Sequence, residues 1–173
     1  DSFASISLQA QVFTGNLELN TQTAEDTFSY TTVTGNQRIS GAHSNTNSFL
    51  GLTSVGGDLE ISDALLSDVD GFSSLTFVGG DLIIEMNELL TNIDGKSSLS
   101  EVGGDVDLNT CGLLPNLDGL SSLTTVGGRF RLRDNLSLSN VDSLSSLTFL
   151  GGSLEFDSTP SLTNVDGLSG LTA

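Results

Sequence analysis

Val55-Gly56-Gly57-Asp58-Leu59-Glu60-Ile61 returns four times downstream. It reappears as Val78-Gly79-Gly80-Asp81-Leu82-Ile83-Ile84 and Val102-Gly103-Gly104-Asp105-Val106-Asp107-Leu108. It returns again as Val126-Gly127-Gly128-Arg129-Phe130-Arg131-Leu132 and Leu150-Gly151-Gly152-Ser153-Leu154-Glu155-Phe156. The starts lie 23, 24, 24 and 24 residues apart. A fixed period of this size is the mark of a repeat architecture, and it outranks any local reading of secondary structure. Two looser copies precede these, at Val33-Thr34-Gly35-Asn36-Gln37-Arg38-Ile39 and Phe13-Thr14-Gly15-Asn16-Leu17-Glu18-Leu19.

Within each copy the apolar residues stand two apart, the strand period, with one face inward. One short strand cannot bury that face alone. The same strand stacked from successive repeats forms a parallel sheet, with neighbours about 4.8 Å apart. The second half of the repeat, Leu90-Thr91-Asn92-Ile93-Asp94-Gly95-Lys96-Ser97-Ser98-Leu99 in one copy, supplies further inward columns. The expected fold is therefore all-β: one domain over 1–173, a parallel β-solenoid of about seven repeats of 20–24 residues. Regular repeats are expected from about 52, and irregular N-terminal ones over 12–51. The Gly-Gly pair should mark a corner that needs positive φ or close approach between repeats. Asp70, Asp94, Asp118, Asp142 and Asp166 should mark another, each bonding forward to backbone N–H groups. Cys111 aligns with Asn87 and Asn135, a small polar residue at an inward corner.

Composition narrows function. Five Lys and Arg against 22 Asp and Glu give a formal net charge of −17. Nucleic acid is excluded as a partner on this charge, an anionic membrane surface likewise, and no apolar run is long enough to insert. Cys111 is the single cysteine, so no intrachain disulfide exists. His43, the single histidine, lies in the least regular stretch, and no G-x-S-x-G motif accompanies it. Catalysis is not expected, nor a cofactor.

The phrase V-G-G-D-L-x-I-x-x-N-x-x-L-T-N-V-D-G-L-S-S-L resembles the leucine-rich repeat of receptor L domains, in its microbial or fungal cell-surface form. The likeness spans 12–173 and is best over 52–173. It implies a right-handed β-helix, an extracellular or cell-surface location, and a binding or structural role. Receptor L domains of animals carry disulfides and this chain has none, which favours a microbial lineage.

The residues that break the repeat are the candidate site. Arg129, Arg131 and Arg133 are three of the five cations and alternate along one strand, so they share its outward face. Asp105 and Asp107 should flank them on one side, Glu155 and Asp157 on the other. Cross-strand ion pairing explains the stripe, and a patch reading an acidic glycan or protein is the functional alternative. Asp58, Asp81 and Asp105 form one column of like charges, a candidate for calcium if they do not instead cap the Gly-Gly corner. Thr53, Thr76, Thr124, Thr148 and Thr172 form an outward column without a second matched one, as an ice binder would want. Phe77 and Phe149 are expected to be partly exposed. Asn135-Leu136-Ser137 is a glycosylation sequon placed at an inward corner.

The expected function is an extracellular recognition or adhesion module for a protein or glycan, with a structural spacer and an ice binder as alternatives. The start at Asp1-Ser2-Phe3 reads as internal or processed. The stop at Leu171-Thr172-Ala173 falls just before the next V-G-G, so a fragment of a longer repeat protein is expected, or an end covered by further repeats or a capping partner.

Overall fold

A computed structural model describes residues 11–21, 28–41, 43, 45–94 and 98–172. The chain's first residues, the segment Gly95-Lys96-Ser97 and the terminal Ala173 lie outside these. Among the described residues there is no α-helix. Each repeat contributes one strand to each of two seven-stranded parallel sheets.

The short strands of the first sheet are β1 (Val12–Phe13), β3 (Thr32–Val33), β5 (Ser54–Val55), β7 (Phe77–Val78), β9 (Glu101–Val102), β11 (Thr125–Val126) and β13 (Phe149–Leu150). The longer strands of the second are β2 (Leu17–Leu19), β4 (Gln37–Ser40), β6 (Leu59–Ser62), β8 (Leu82–Glu85), β10 (Val106–Asn109), β12 (Phe130–Arg133) and β14 (Leu154–Asp157). In both sheets the strands stack in chain order, and partners sit one repeat apart, as in Val106↔Phe130 and Leu108↔Leu132. The register copies the sequence period without slippage, because a one-residue slip would turn every inward leucine to solvent.

The core is a set of self-stacking columns. Val33, Val55, Val78, Val102 and Val126 are buried in the first sheet, and Leu59, Leu82, Val106 and Phe130 in the second. Gln37 departs from that column: it is fully buried, and its amide nitrogen donates to Arg38 O at 3.2 Å. Among the described residues the third side of the repeat carries no strand. Its leucines (Leu90, Leu114, Leu138) fill the interior, and short 3-10 turns close it at Asp70–Phe72, Asp118–Leu120, Asp142–Ser146 and Asp166–Leu168.

The Gly-Gly corner is settled in favour of close approach, since neither glycine of any regular repeat has positive φ. A Cβ on Gly127 would run into Gly103 O, and one on Gly128 would meet Asp105 Oδ1 and lie 3.0 Å from Gly104 C. Positive φ falls instead on five non-glycine residues after the second sheet: Asp63, Met86, Thr110, Asp134 and Ser158, with φ 52–54°.

The Asp-Gly corner works differently from expectation. None of the turns starting at Asp70, Asp118, Asp142 or Asp166 is capped by a side chain at its N-cap residue. The forward bond comes from the residue two earlier. Asn92 Oδ1 accepts the Asp94 N–H at 3.1 Å, and Asn116, Asn140 and Asn164 do the same for Asp118, Asp142 and Asp166 at 3.1, 3.2 and 3.2 Å. The five aspartates are left on the surface. Desolvation, then the charges of Asp118 and Asp70, hold the Asp94 carboxyl above its usual range.

An apolar cavity of about 40 Å³ lies in the core, lined by Ile61, Phe72, Ile84, Ile93, Gly119 and Leu120 among others.

Candidate binding face

Side chains on the second sheet alternate, so each strand turns one set of residues inward and the other outward. The central outward column reads Glu18, Arg38, Glu60, Ile83, Asp107, Arg131, Glu155, with each residue the register partner of the next. Charge alternates along it except at Ile83, and the contacts follow the charge. Arg38 meets Glu60 at 3.2 Å. Arg131 sits between Asp107 at 3.3 Å and Glu155 at 3.2 Å.

The columns on either side bring in the other predicted residues. Arg129 precedes β12 and reaches Asp105 at 2.9 Å and Glu155 at 3.9 Å. Arg133 ends β12 and lies 3.4 Å from Asp134 and 3.5 Å from Asp157. Asp105, Asp107, Arg129, Arg131, Arg133, Glu155 and Asp157 are thus gathered over three adjacent strands in the predicted order. Asp134 joins them unpredicted, carried in by the positive-φ corner. These pairs are partly exposed and screened by solvent, so each contributes little to stability by itself. Arg133 is the most open of the three arginines, its side chain 55 % exposed.

The aspartate column is a ladder. Asp58 Oδ1 accepts the Asp81 N–H at 2.9 Å, Asp81 Oδ1 the Asp105 N–H at 2.7 Å, and Asp105 Oδ1 the Arg129 N–H at 2.7 Å. Asn16 and Asn36 extend it backwards, accepting the N–H groups of Asn36 and Asp58 at 2.9 and 3.0 Å. One oxygen of each calcium candidate therefore caps the next repeat. Among the described residues no three His, Cys, Asp or Glu side chains are arranged to hold a metal ion. Chelation with EDTA is expected to leave the melting temperature unchanged, and a drop of several degrees would restore calcium to the account.

Protonation follows from these contacts. The Arg129 N–H holds Asp105 below the usual carboxylate range; desolvation opposes it, and the Arg129 guanidinium adds to the lowering. The Ser153 hydroxyl and then Arg131 lower Glu155. Glu85 is raised, first by desolvation and then by Glu60, Asp107 and Asp63. Raised carboxyls bind protons more tightly in the folded chain, so Glu85 and Asp94 favour folding more as the pH falls through their folded values. Lowered carboxyls do the reverse: the contributions of Asp105 and Glu155 are present above the ordinary range, about pH 4, and vanish below it. Stability should therefore rise on mild acidification from pH 7 and fall steeply below about pH 4. Denaturant melts at stepped pH measure this, and a steady fall from pH 7 downward would contradict it.

Cys111 occupies an inward asparagine column. Asn87 Nδ2 donates to Ile61 O at 2.9 Å, and Asn135 Nδ2 to Leu108 O at 2.8 Å. The Cys111 thiol points to the equivalent Ile84 O at 3.8 Å. Burial pushes that thiol up to about 11, so it is inert at neutral pH. Asn135 is fully buried, so its sequon is closed to modification in the folded chain. His43 is also fully buried, with Nε2 3.1 Å from Ser40 O.

No family model, curated protein or solved structure matches this chain. The reading of its function rests on the faces themselves.

The first sheet offers a contrasting face. Its outward column reads Val12, Thr32, Ser54, Phe77, Glu101, Thr125, Phe149, a mixture with no regular chemistry. The neighbouring threonines form another ladder: the Thr53 hydroxyl donates to Thr31 O at 2.9 Å, Thr76 to Thr53 O at 3.0 Å, and Thr124 to Ser100 O at 2.9 Å. Phe77 and Phe149 are exposed.

Proposed function

We propose that the chain is a right-handed parallel β-solenoid of the receptor-L-domain kind and serves as a non-catalytic recognition or adhesion module at a cell surface. One observation carries this reading. The inward columns of the second sheet are apolar in every regular repeat, whereas the outward residues change chemistry from repeat to repeat. A flat sheet with fixed spacing and varied side chains is a surface suited to reading a protein or glycan. The cluster Arg129, Arg131 and Arg133, bordered by Asp105, Asp107, Glu155 and Asp157, is its most distinctive part. Ion pairing holds the guanidinium planes in place, and pre-organised polar groups bind with less loss of side-chain freedom. At the far edge, Leu150, Leu154 and Phe156 are only partly buried.

The test is a glycan array and whole-cell binding with the chain and an R129S/R131S/R133S variant. The proposal expects a defined ligand and at least a tenfold loss in the variant. Silence of the wild-type chain across both formats would overturn it in favour of a structural spacer. That second reading is favoured by the ion pairs, since every arginine of the stripe already has a carboxylate partner. The ice-binding reading is weakened by the threonine ladder, whose hydroxyls donate to the chain's own carbonyls. Thermal hysteresis on the pure protein would revive it.

A further inference from the structure

The corner that follows the second sheet is apolar on its outside. In three successive repeats this corner turns one leucine inward (Leu66, Leu90, Leu114) and leaves its neighbour in solvent, Leu65, Leu89 and Leu113 being 59, 50 and 50 % exposed; in the next repeat Leu136, one position earlier, is 57 % exposed. Met86 stands beside them at 45 %. Two depressions run along this edge. One, of about 400 Å³, is lined by Leu65, Met86 and Leu89, with Asp63 and Glu88 at its border. The next, of about 340 Å³, is lined by Leu113 and Leu136, with Glu88 and Asp134 at its border. They share Glu88 and Thr110, so they form one groove parallel to the stacking direction.

Met86 stands at the positive-φ corner that every regular repeat shares. It holds φ 54°, a conformation that disfavours a residue without a short polar side chain. Asp, Thr and Ser fill the equivalent corners. At Met86 the strain places a flexible apolar side chain in solvent, the kind of side chain that adapts to a bound surface.

We propose that this groove docks a cationic amphipathic α-helix of a protein partner, laid along the stacking direction. Three arguments select that occupant. Leucines on successive repeats recur about every 4.8 Å. A helix presents side chains on one face every 5.4 Å, so over the three repeats of Leu65, Leu89 and Leu113 the two series drift apart by only about 1 Å. Asp63 and Glu88 stand at the groove's border, and among the described residues no cation lines it, so the partner's flanks are basic. A second copy of this chain is disfavoured, because each carries a formal charge of −17 and the groove itself is acidic. An anionic lipid surface is disfavoured for the same reason. The groove adjoins the arginine stripe at Asp134, but the proposal does not rest on that site.

The probe is a synthetic leucine–lysine amphipathic helix of about four turns, titrated at physiological salt by fluorescence anisotropy. A peptide of equal charge with serine at every leucine position is the comparison. The leucine peptide should bind at least tenfold more tightly, and L89S/L113S should remove that advantage. A D63N/E88Q variant should bind with a shallower salt dependence. F77S/F149S, on the other sheet, should bind as the wild type. Both residues changed in L89S/L113S are half exposed, and an unchanged melting temperature checks that the variant is folded. Equal binding of the two peptides would overturn the proposal, as would wild-type affinity in L89S/L113S. So would a wild-type dimer that L89S/L113S dissolves, or tighter binding to vesicles of anionic lipid than to the helix.

Discussion

Replacing Gly128 by Ala should destabilise the chain by about 2–4 kcal/mol, through overpacking against rigid backbone and loss of a buried-side hydrogen bond. The second glycine of the Gly-Gly pair is present in all seven copies of the repeat, from Gly15 to Gly152. At Gly128 a Cβ would meet Asp105 Oδ1, with Asp105 N and Gly104 C each 3.0 Å away. That oxygen is engaged with the Arg129 N–H, and Gly128 N itself donates to Gly104 O at 2.9 Å. Neither atom can retreat without opening the step between two repeats. A melt should register the change as a fall of about 4–16 °C. The comparison is Gly112→Ala, where a Cβ meets nothing within 4 Å and little change is expected. Equal melting temperatures for the two variants would contradict the close-approach account of the corner.

Asn135→Ala should cost a similar amount for a different reason. Its side chain is fully buried and bridges two repeats, with Oδ1 accepting the Cys111 N–H at 3.1 Å and Nδ2 donating to Leu108 O at 2.8 Å. Truncation leaves a buried donor and a buried acceptor without partners, at about 1–3 kcal/mol each. Asn135→Asp keeps the acceptor, loses the donor and buries a charge, so it should be at least as damaging. Cys111→Asn should be tolerated, because Asn87 and Asn135 show that the column accepts an amide. Chemical denaturation of the three variants tests the ladder, and a tolerated Asn135→Ala would remove it from the account.

These two sites also show what was legible in the sequence. The register of both sheets could be read from V-G-G-D because the same residues recur at one period, and stacking is the arrangement that buries them together. The partners of Arg131, namely Asp107 and Glu155, followed from that register by counting. Cys111 was placed in the asparagine column on the same basis. The turn at the Asp-Gly corner was assigned to the wrong residue. Asn and Asp both favour such turns, and a periodic sequence does not say which of two polar residues in T-N-V-D-G bends back. The structure gives the bond to the Asn and leaves the Asp in solvent. The positive-φ corner left no trace at all, since Asp63, Met86, Thr110, Asp134 and Ser158 share neither size nor polarity. What they share is a position, fixed by the need to turn the chain between the end of one strand and the buried residue after it. The leucine groove was hidden for a related reason. Pairs such as Leu89-Leu90 and Leu113-Leu114 read as uniformly apolar, and only the corner's backbone decides which member of each pair faces water.

The central claim is that successive repeats stack in register, so that residues one period apart become neighbours. Spin labels on the central outward column of the second sheet test it most directly, in a Cys111→Asn background that leaves only the introduced cysteines. Glu60 and Glu155 are separated by four strand steps in that column, and Glu18 and Glu155 by six. At about 4.8 Å per step, pulsed electron–electron resonance should give label separations near 19 Å and 29 Å, each as a single population. Distances that fail to grow with the number of repeats between the labels would contradict the stack.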